Sequence, residues 1–301
     1  MNDLTIDRHT LFPEAIEIVS DDDSTSGTTT EGLSWRVVQG DAHTKLKELD
    51  DEHFGCCVTS PPYFWLRDYG VDGQSGHEES VSEYVNGISD VMDEVFKKLK
   101  KNGLLFLNLG DTYYSGKGKA HGADGKSTKR RFGLRAVDKS GGLDIGIARK
   151  SMIGIPWRVA IEMMKRGWVL RSSIIWYRHK ALPEFVIDRP RRNYEFVFMF
   201  AKDRFYHFNR EPLTLDKNVD EDVWTIVPRP RDAAKLDTAP FPDELVERCL
   251  AIGCEQEAPV LDPYAGSGTT LRVALKTGRP ATGVELNGDF CKHIIEELRR
   301  Y

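Results

Sequence analysis

The stretch "PVLDPYAGSGTTLRVALKTGRPATGVELN", residues 259 to 287, decides the fold. A short β-rich run ends at Asp262, a loop holding Gly266 and Gly268 follows, a helical pattern runs to Gly278, and a second β-rich run ends at Glu285. A strand, a glycine turn, a helix and a strand make one half of a doubly wound α/β sheet. Glycines at such a turn let backbone come close to a ligand. A carboxylate about 20 residues onward stands where it accepts hydrogen bonds from ribose hydroxyls.

The ligand is therefore read as an adenosine compound, and the residues sort the candidates. NAD asks for a third glycine, and Leu271 occupies that place; a nucleoside triphosphate asks for a lysine after the last glycine, and Thr269 stands there. S-adenosylmethionine carries no phosphate and needs only the close turn, an acid near its amino-acid end and an acid at its ribose. Asp262 and Glu285 suit those two places. NAD and a purely structural glycine turn remain as alternatives.

Working outward, β-rich runs recur at 35–40, 55–60, 104–109, 169–177, 195–201, 259–262 and 281–286. Helical patterns lie between them. In 81–101 the apolar residues Tyr84, Val85, Ile88, Val91, Met92, Val95, Phe96 and Leu99 repeat at three and four, with Asn102-Gly103 as the stop. Pro156 suits the first turn of the next helix, and others are expected after Pro242, Gly268 and Gly288. This alternation predicts an open, mostly parallel sheet. With 301 residues, 40% of them hydrophobic, the chain can bury one large core. No apolar run has membrane-spanning length, and the N-terminus does not resemble a signal peptide, so a soluble intracellular protein is expected. The five cysteines form no CxxC pair, which suggests neither a metal site nor a disulfide framework.

The run "VTSPPYFWLRDYG", 58–70, places Ser60 at the end of a predicted strand, the edge where open α/β sheets bind ligands. Pro61 and Pro62 stop the strand. Methylating an exocyclic amine has one main obstacle: the nitrogen lone pair is conjugated with the ring. Two acceptors on the two N–H groups, Ser60 Oγ and the Pro61 carbonyl made rigid by Pro62, draw that nitrogen toward tetrahedral geometry. Tyr63 offers a ring for stacking on a base taken out of its helix. Phe64 and Trp65 are assigned to packing or to the pocket wall.

These motifs together resemble the DNA amino methyltransferases of the cytosine-N4 and adenine-N6 type, in the circularly permuted group whose catalytic motif precedes the cofactor loop. The resemblance spans about 32–300. It implies a Rossmann-like class I methyltransferase fold with a mostly parallel seven-stranded sheet, helices on both faces, and S-adenosylmethionine as cofactor. "TSPPYFWLRDYG" is similar to the catalytic motif. "LDPYAGSGTT" resembles the cofactor motif, which implies roles for Asp262, Pro263, Tyr264, Gly266, Ser267, Gly268 and Thr269. "GVELN" resembles the ribose-binding segment with Glu285 and Asn287. By the same resemblance Asp41 in "VVQGDA" approaches the adenine of the cofactor, Asp111 in "LNLGDTY" borders the cofactor site, and Phe241 in "APFPDELVERCL" packs near the methionine moiety. Serine at position 60 is usual for cytosine-N4 enzymes, with Asp or Asn there in adenine-N6 enzymes. Cytosine-C5 chemistry needs a cysteine nucleophile, usually after a proline, and no cysteine here follows one.

Net charge is -5, but it is unevenly spread. Residues 1–31 carry eight acids and one arginine and are expected to be partly flexible, with "SDDDSTSGTTTEG" at 20–32 the most polar run. The glycine-rich stretch 116–150 holds ten Lys/Arg against three Asp. With DNA as partner it reads as a backbone clamp, in which Lys117, Lys119, Lys129, Arg130 and Arg131 are candidates; a solvated linker is the bland reading. The connection 178–194 adds Arg178, Lys180, Arg189, Arg191 and Arg192 as DNA-contact candidates. No metal and no membrane are expected as partners. The location implied is cytoplasmic at the nucleoid, or nuclear in a eukaryote. An adenine-N6 enzyme, a protein-amide methyltransferase and a DNA-binding relative without turnover are the other readings.

Overall fold

A computed structural model of the chain describes residues 18–118, 134–180, 184–214, 221–228 and 240–301. In chain order the elements are β1 (Val19–Ser20), β2 (Ser24–Thr28), β3 (Ser34–Gln39), α1 (Ala42–Leu46), β4 (Phe54–Thr59), α2 (Val81–Lys98), β5 (Leu99–Leu109), α3 (Ile155–Lys165), β6 (Val169–Arg178), β7 (Tyr194–Ala201), α4 (Glu211–Thr214), β8 (Val223–Ile226), α5 (Asp243–Gly253), β9 (Val260–Asp262), α6 (Thr269–Lys276), β10 (Ala281–Glu285) and α7 (Gly288–Leu298).

The strands form one sheet in the order β1-β2-β3-β10-β9-β4-β5-β7-β6-β8. From β3 through β5 every pairing is parallel, while β7 runs antiparallel between β5 and β6. The class I arrangement is thus present in the seven strands from β3 to β6. The expected count of seven is corrected to ten, because β1 and β2 extend one edge and β8 the other. The run 20–32, expected to be flexible, contributes β2, which pairs with β3. A Cβ on Gly27 would stand 2.5 Å from Trp35 Cζ2, so glycine makes room there for the indole that caps the edge of the core. Polar composition hid that strand.

Both faces of the sheet are covered, as parallel strands require. In β5, Leu105, Leu107 and Leu109 pack with α2 and α3, while Leu104 and Phe106 pack with α5 and α6. Every residue of β4 is buried, as expected for the strand at the centre. The helix α2 starts with a capping box of Ser80 and Glu83 and ends at Lys98, three residues short of the expected 101. The reason is a register shift between β4 and β5 that draws Leu99 into the sheet opposite Phe54.

Parallel strands deliver their C-terminal ends to one edge. Gln39, Glu285, Asp262, Thr59 and Leu109 end their strands there, and antiparallel β7 enters at Tyr194. The strand order reverses between β9 and β4, which is where a crevice opens in such sheets. Among the described residues no helix is long and apolar enough to cross a membrane.

Candidate active site

The crevice is closed at its floor by a hydrogen bond from Thr59 Oγ1 to Asp262 Oδ1, 2.7 Å, joining the ends of β4 and β9. Asp262 also accepts from Tyr264 N at 3.1 Å, so its carboxylate fixes the turn that follows it. Gly266 and Gly268 take left-handed backbone, with φ of 55° and 78°. That geometry, together with Ile294 lying 3.0 Å from where a Gly268 Cβ would be, requires glycine. Glu285 spans the loop from the other side: Oε2 accepts from Gly266 N and Oε1 from Asn287 N, both at 2.8 Å.

This cradle is dry. Burial pushes the Asp262 carboxyl up to about 6 and the Glu285 carboxyl up to about 7, the latter helped by the negative charge of Asp262. Ser267 Oγ and Thr269 Oγ1 are buried with no hydrogen-bond partner. Orphaned hydroxyls beside a glycine turn are groups that a polar ligand satisfies. Asn287 caps α7, and Pro263 is buried beneath the loop. Asp41 caps α1 by accepting from Thr44 N, and Gly40 N donates to the Glu285 carbonyl, which holds the Asp41 turn against the end of β10. Phe241 is 8% exposed just ahead of α5, whose Asp243 is bonded to Arg272 of α6. The structure thus gathers the glycine loop, Glu285, Asn287 and the Asp41 turn along one side of the crevice.

On the other side stands Ser60. Its hydroxyl lies 3.3 Å from Tyr63 Oη; Tyr63 in turn lies 2.7 Å from Glu195 Oε2 and 3.0 Å from Asn108 Oδ1. Arg178 Nη1 donates to Glu195 Oε1 at 2.9 Å. The chain of donors runs Ser60 to Tyr63 to Glu195, and it ends on a carboxylate neutralised by Arg178. Tyr84 Oη donates to the Pro62 carbonyl at 2.8 Å and anchors the Pro-Pro turn, while Phe64 packs against Tyr84 in the core. Tyr63 was expected as a stacking surface; its hydroxyl is tied into the protein and its ring lies on Gly110, where a Cβ would stand 2.5 Å from Cε2.

Beside this relay, where β5 and β7 reach the edge, lies a cavity of about 140 Å³. Asp111, Trp157, Arg192, Tyr194, Glu195 and Phe196 line it. Asp111 belongs to this cavity, and its carboxylate accepts from Thr112, Gly154 and Ile155 N–H, holding the start of α3. Burial raises its carboxyl above the usual range. Trp157 and Tyr194 meet Phe196 edge-on at 5.6 Å. The aromatic part of this wall is flat and apolar, and Asp111, Arg192 and Glu195 bring charge to the rest of it.

The basic residues fall into three groups. Arg178 is committed to Glu195, and Arg189 is committed to Glu184, with its guanidinium 3.7 Å over the Tyr113 ring. Lys117, Lys180 and Arg191 are exposed. Lys119, Lys129, Arg130 and Arg131 lie outside the described residues. Sequence reasoning missed Glu195, Asn108, Trp157, Tyr194 and Phe196. A signal was present in "YEFVFMF": aromatic residues alternate on one face of the strand, and a lone glutamate interrupts a run otherwise fit for a fully buried strand.

The comparisons with known proteins agree with this geometry. A family model described as DNA methylase matches residues 54–297. The Type II methyltransferase M.SmaI of Serratia marcescens is 36% identical over 89% of this chain and 91% of its own length. M.Cfr9I of Citrobacter freundii is 35% identical over 87% of each. Among solved structures, a DNA modification methylase of Thermus thermophilus, TTHA0409, complexed with S-adenosyl-L-methionine, superposes with a TM-score of 0.61 at 27% identity, covering 88% of this chain and 93% of that one. The PvuII DNA methyltransferase shares the fold, with a TM-score of 0.66 at 19% identity over 89% and 86%. A crevice built for an adenosine cofactor beside a Ser-Pro-Pro-Tyr turn, and matches over most of the chain, have one meaning: it belongs to the N6/N4 DNA methylase family, the S-adenosylmethionine-dependent DNA amino-methyltransferases.

Proposed function

We propose that this chain methylates the N4 amine of cytosine in DNA, with the base turned out of the duplex into the cavity between β5 and β7. One observation carries the reading: Ser60 follows Thr59, which is bonded to Asp262 of the cradle, and is linked through Tyr63 to Glu195 on the cavity wall. The cavity, about 140 Å³, has Trp157, Tyr194 and Phe196 on its walls, faces on which a planar base can stack, and serine at position 60 favours the cytosine amine.

S-adenosylmethionine supplies a methyl group on a sulfonium, an electrophile that leaves as a neutral thioether. The protein's part is to bind, orient and exclude water. Glu285 accepts from ribose hydroxyls, the Gly266–Thr269 turn receives the cofactor's amino-acid end, and Phe241 and Asp41 flank it. Ser60 donates its own proton to Tyr63, so its lone pairs are free to accept one N–H of the amine. The Pro61 carbonyl accepts the other. Held so, the amine nitrogen would turn its lone pair out of conjugation toward the cofactor's methyl carbon; the methyl would pass from sulfur to nitrogen as the neutral thioether leaves, and the surplus N–H proton would pass to solvent water. Preorganised acceptors of this kind lower the barrier because they are already oriented when charge develops. Type II relatives suggest that the reaction modifies DNA at a defined site.

The test is to incubate the protein with labelled cofactor and unmodified genomic DNA, digest to nucleosides and identify the product by mass spectrometry. N4-methylcytosine is the expected product; 6-methyladenine, or no label in DNA, overturns the proposal. Ser60→Ala is expected to lower kcat on the order of a hundredfold with cofactor binding retained.

A further inference from the structure

Arg192 was read from the sequence as a DNA-contact candidate, and the fold leaves it half-buried on the cavity wall. It lines the cavity, and two of its guanidinium nitrogens, Nε and Nη1, are buried with no hydrogen-bond partner. Its main chain is clamped on both sides: its N–H donates to Glu184 Oε2 and its carbonyl accepts from Arg178 Nη2, each at 3.3 Å. The Arg192 charge acts on the Asp111 and Glu184 carboxylates, but buried N–H donors with no acceptor cost folding free energy, and an acceptor arriving in the cavity removes that cost. The site is thus built to receive a planar ring with acceptors on its edge.

We infer that Arg192 reads the flipped base, donating to the N3 and O2 acceptors of cytosine while Ser60 and the Pro61 carbonyl hold its N4 amine. The inference rests on the cytosine-N4 reading above and adds to it the residue that selects the base. Cytosine carries an amine and two neighbouring acceptors along one edge. Thymine has no amine and presents an N3–H donor to the guanidinium. Adenine presents one acceptor, N1, beside a C–H, and needs space for a second ring. A site that leaves a buried donor unpaired with the wrong base discriminates more strongly than shape alone.

The experiment uses the full chain and duplexes carrying the site that the wild-type protein modifies in genomic DNA. The target base is cytosine, 3-deazacytosine, in which N3 is replaced by C–H, or 2-thiocytosine, in which sulfur makes a weaker acceptor than oxygen. Arg192→Gln and Arg192→Lys are compared with wild type, with cofactor affinity and Tm measured alongside. Arg192→Gln is expected to lower kcat/KM on cytosine by about tenfold to a hundredfold, with cofactor affinity unchanged and a smaller loss for Arg192→Lys. On the analogues, which wild type already handles poorly, the loss shrinks to about threefold or less, because the acceptor is gone or weakened. Equal losses on all three bases would mean a phosphate contact or a purely structural role and overturn the inference. So would weakened cofactor binding, which would place Arg192 on the cofactor's carboxylate. Failure of the cytosine-N4 reading shows separately, as absence of N4-methylcytosine with the wild-type protein.

Discussion

Tyr63 Oη and Glu195 Oε2 lie 2.7 Å apart, and through that contact the reacting edge of β4 is held to the far side of β5. Tyr63 is pushed well above the ordinary tyrosine range by burial and by the charge of Glu195, so it stays a hydroxyl and donates. Its lone pairs then face Ser60. Removing either end of the contact lets the Ser60 hydroxyl rotate and spend a lone pair elsewhere. Tyr63→Phe and Glu195→Gln are each expected to lower the single-turnover rate about tenfold while cofactor affinity stays within about twofold. The double variant is expected to be no slower than the slower single one, since both act on one element. Additive losses would show that the two residues act separately.

Gly110 is the support under the same ring. Its Cα hydrogen faces Tyr63, and an added methyl would stand 2.5 Å from Cε2 and 3.0 Å from Cδ2. Backbone on one side and the Asn108–Glu195 pair on the other leave the ring little room. Gly110→Ala is expected to cost about 1–3 kcal/mol of stability, seen as a lower Tm, and to slow methyl transfer by displacing the hydroxyl. Unchanged activity would show that the ring can move without consequence.

The exposed cations and the committed ones should separate in a salt titration. Lys180 and Arg191 are exposed in the connection between β6 and β7, whereas Arg189 is bound to Glu184 and stacked on Tyr113. If Arg191 and Lys180 meet phosphates, each alanine substitution lowers the slope of log K against log salt by about 0.9. Arg189→Ala is expected to lower Tm and loosen the 184–192 connection, a structural cost rather than a lost counterion. Equal slopes for Arg191→Ala and wild type would remove that residue from the DNA contact surface.

The sequence made the cofactor half legible because its chemistry is local. Asp262, the glycines and Glu285 fall within one strand-turn-helix-strand unit, and spacing alone sets their geometry. The target half was legible only at Ser60. Glu195 and Asn108 reach Tyr63 across 132 and 45 positions of chain, through strand pairings that no local pattern prints. The same limit hid what the arginines touch within the protein. Positive charge in a connection marks candidates for DNA contact, but only the fold shows that Arg178 is bonded to the buried Glu195 and that Arg192 lines a cavity. Edge strands were missed for a different reason: β2 is small and polar, with Gly27 set against the Trp35 indole where it pairs with β3.

The cradle predicts how cofactor binding and stability move with pH. In the unfolded chain Glu285 ionises near 4.5 and Asp262 near 3.8; in the cofactor-free fold burial raises them to about 7 and about 6. A raised carboxyl binds its proton more tightly in the fold, so its contribution to stability is full below the unfolded value and is lost as pH rises through the folded one. Tm of the cofactor-free protein is therefore expected to fall between about pH 4 and pH 7, and Glu285→Gln to flatten part of that decline. Cofactor binding runs the other way. A ribose hydroxyl donates to ionised Glu285, so binding below about 7 expels a proton, and affinity at pH 6 is expected to be roughly tenfold weaker than at pH 8. Calorimetry in two buffers of different ionisation enthalpy counts that proton directly. Glu285→Gln is expected to bind more weakly but without the pH slope. A wild-type affinity that is level from pH 6 to pH 8, or a slope that survives in Glu285→Gln, would take Glu285 out of the ribose contact.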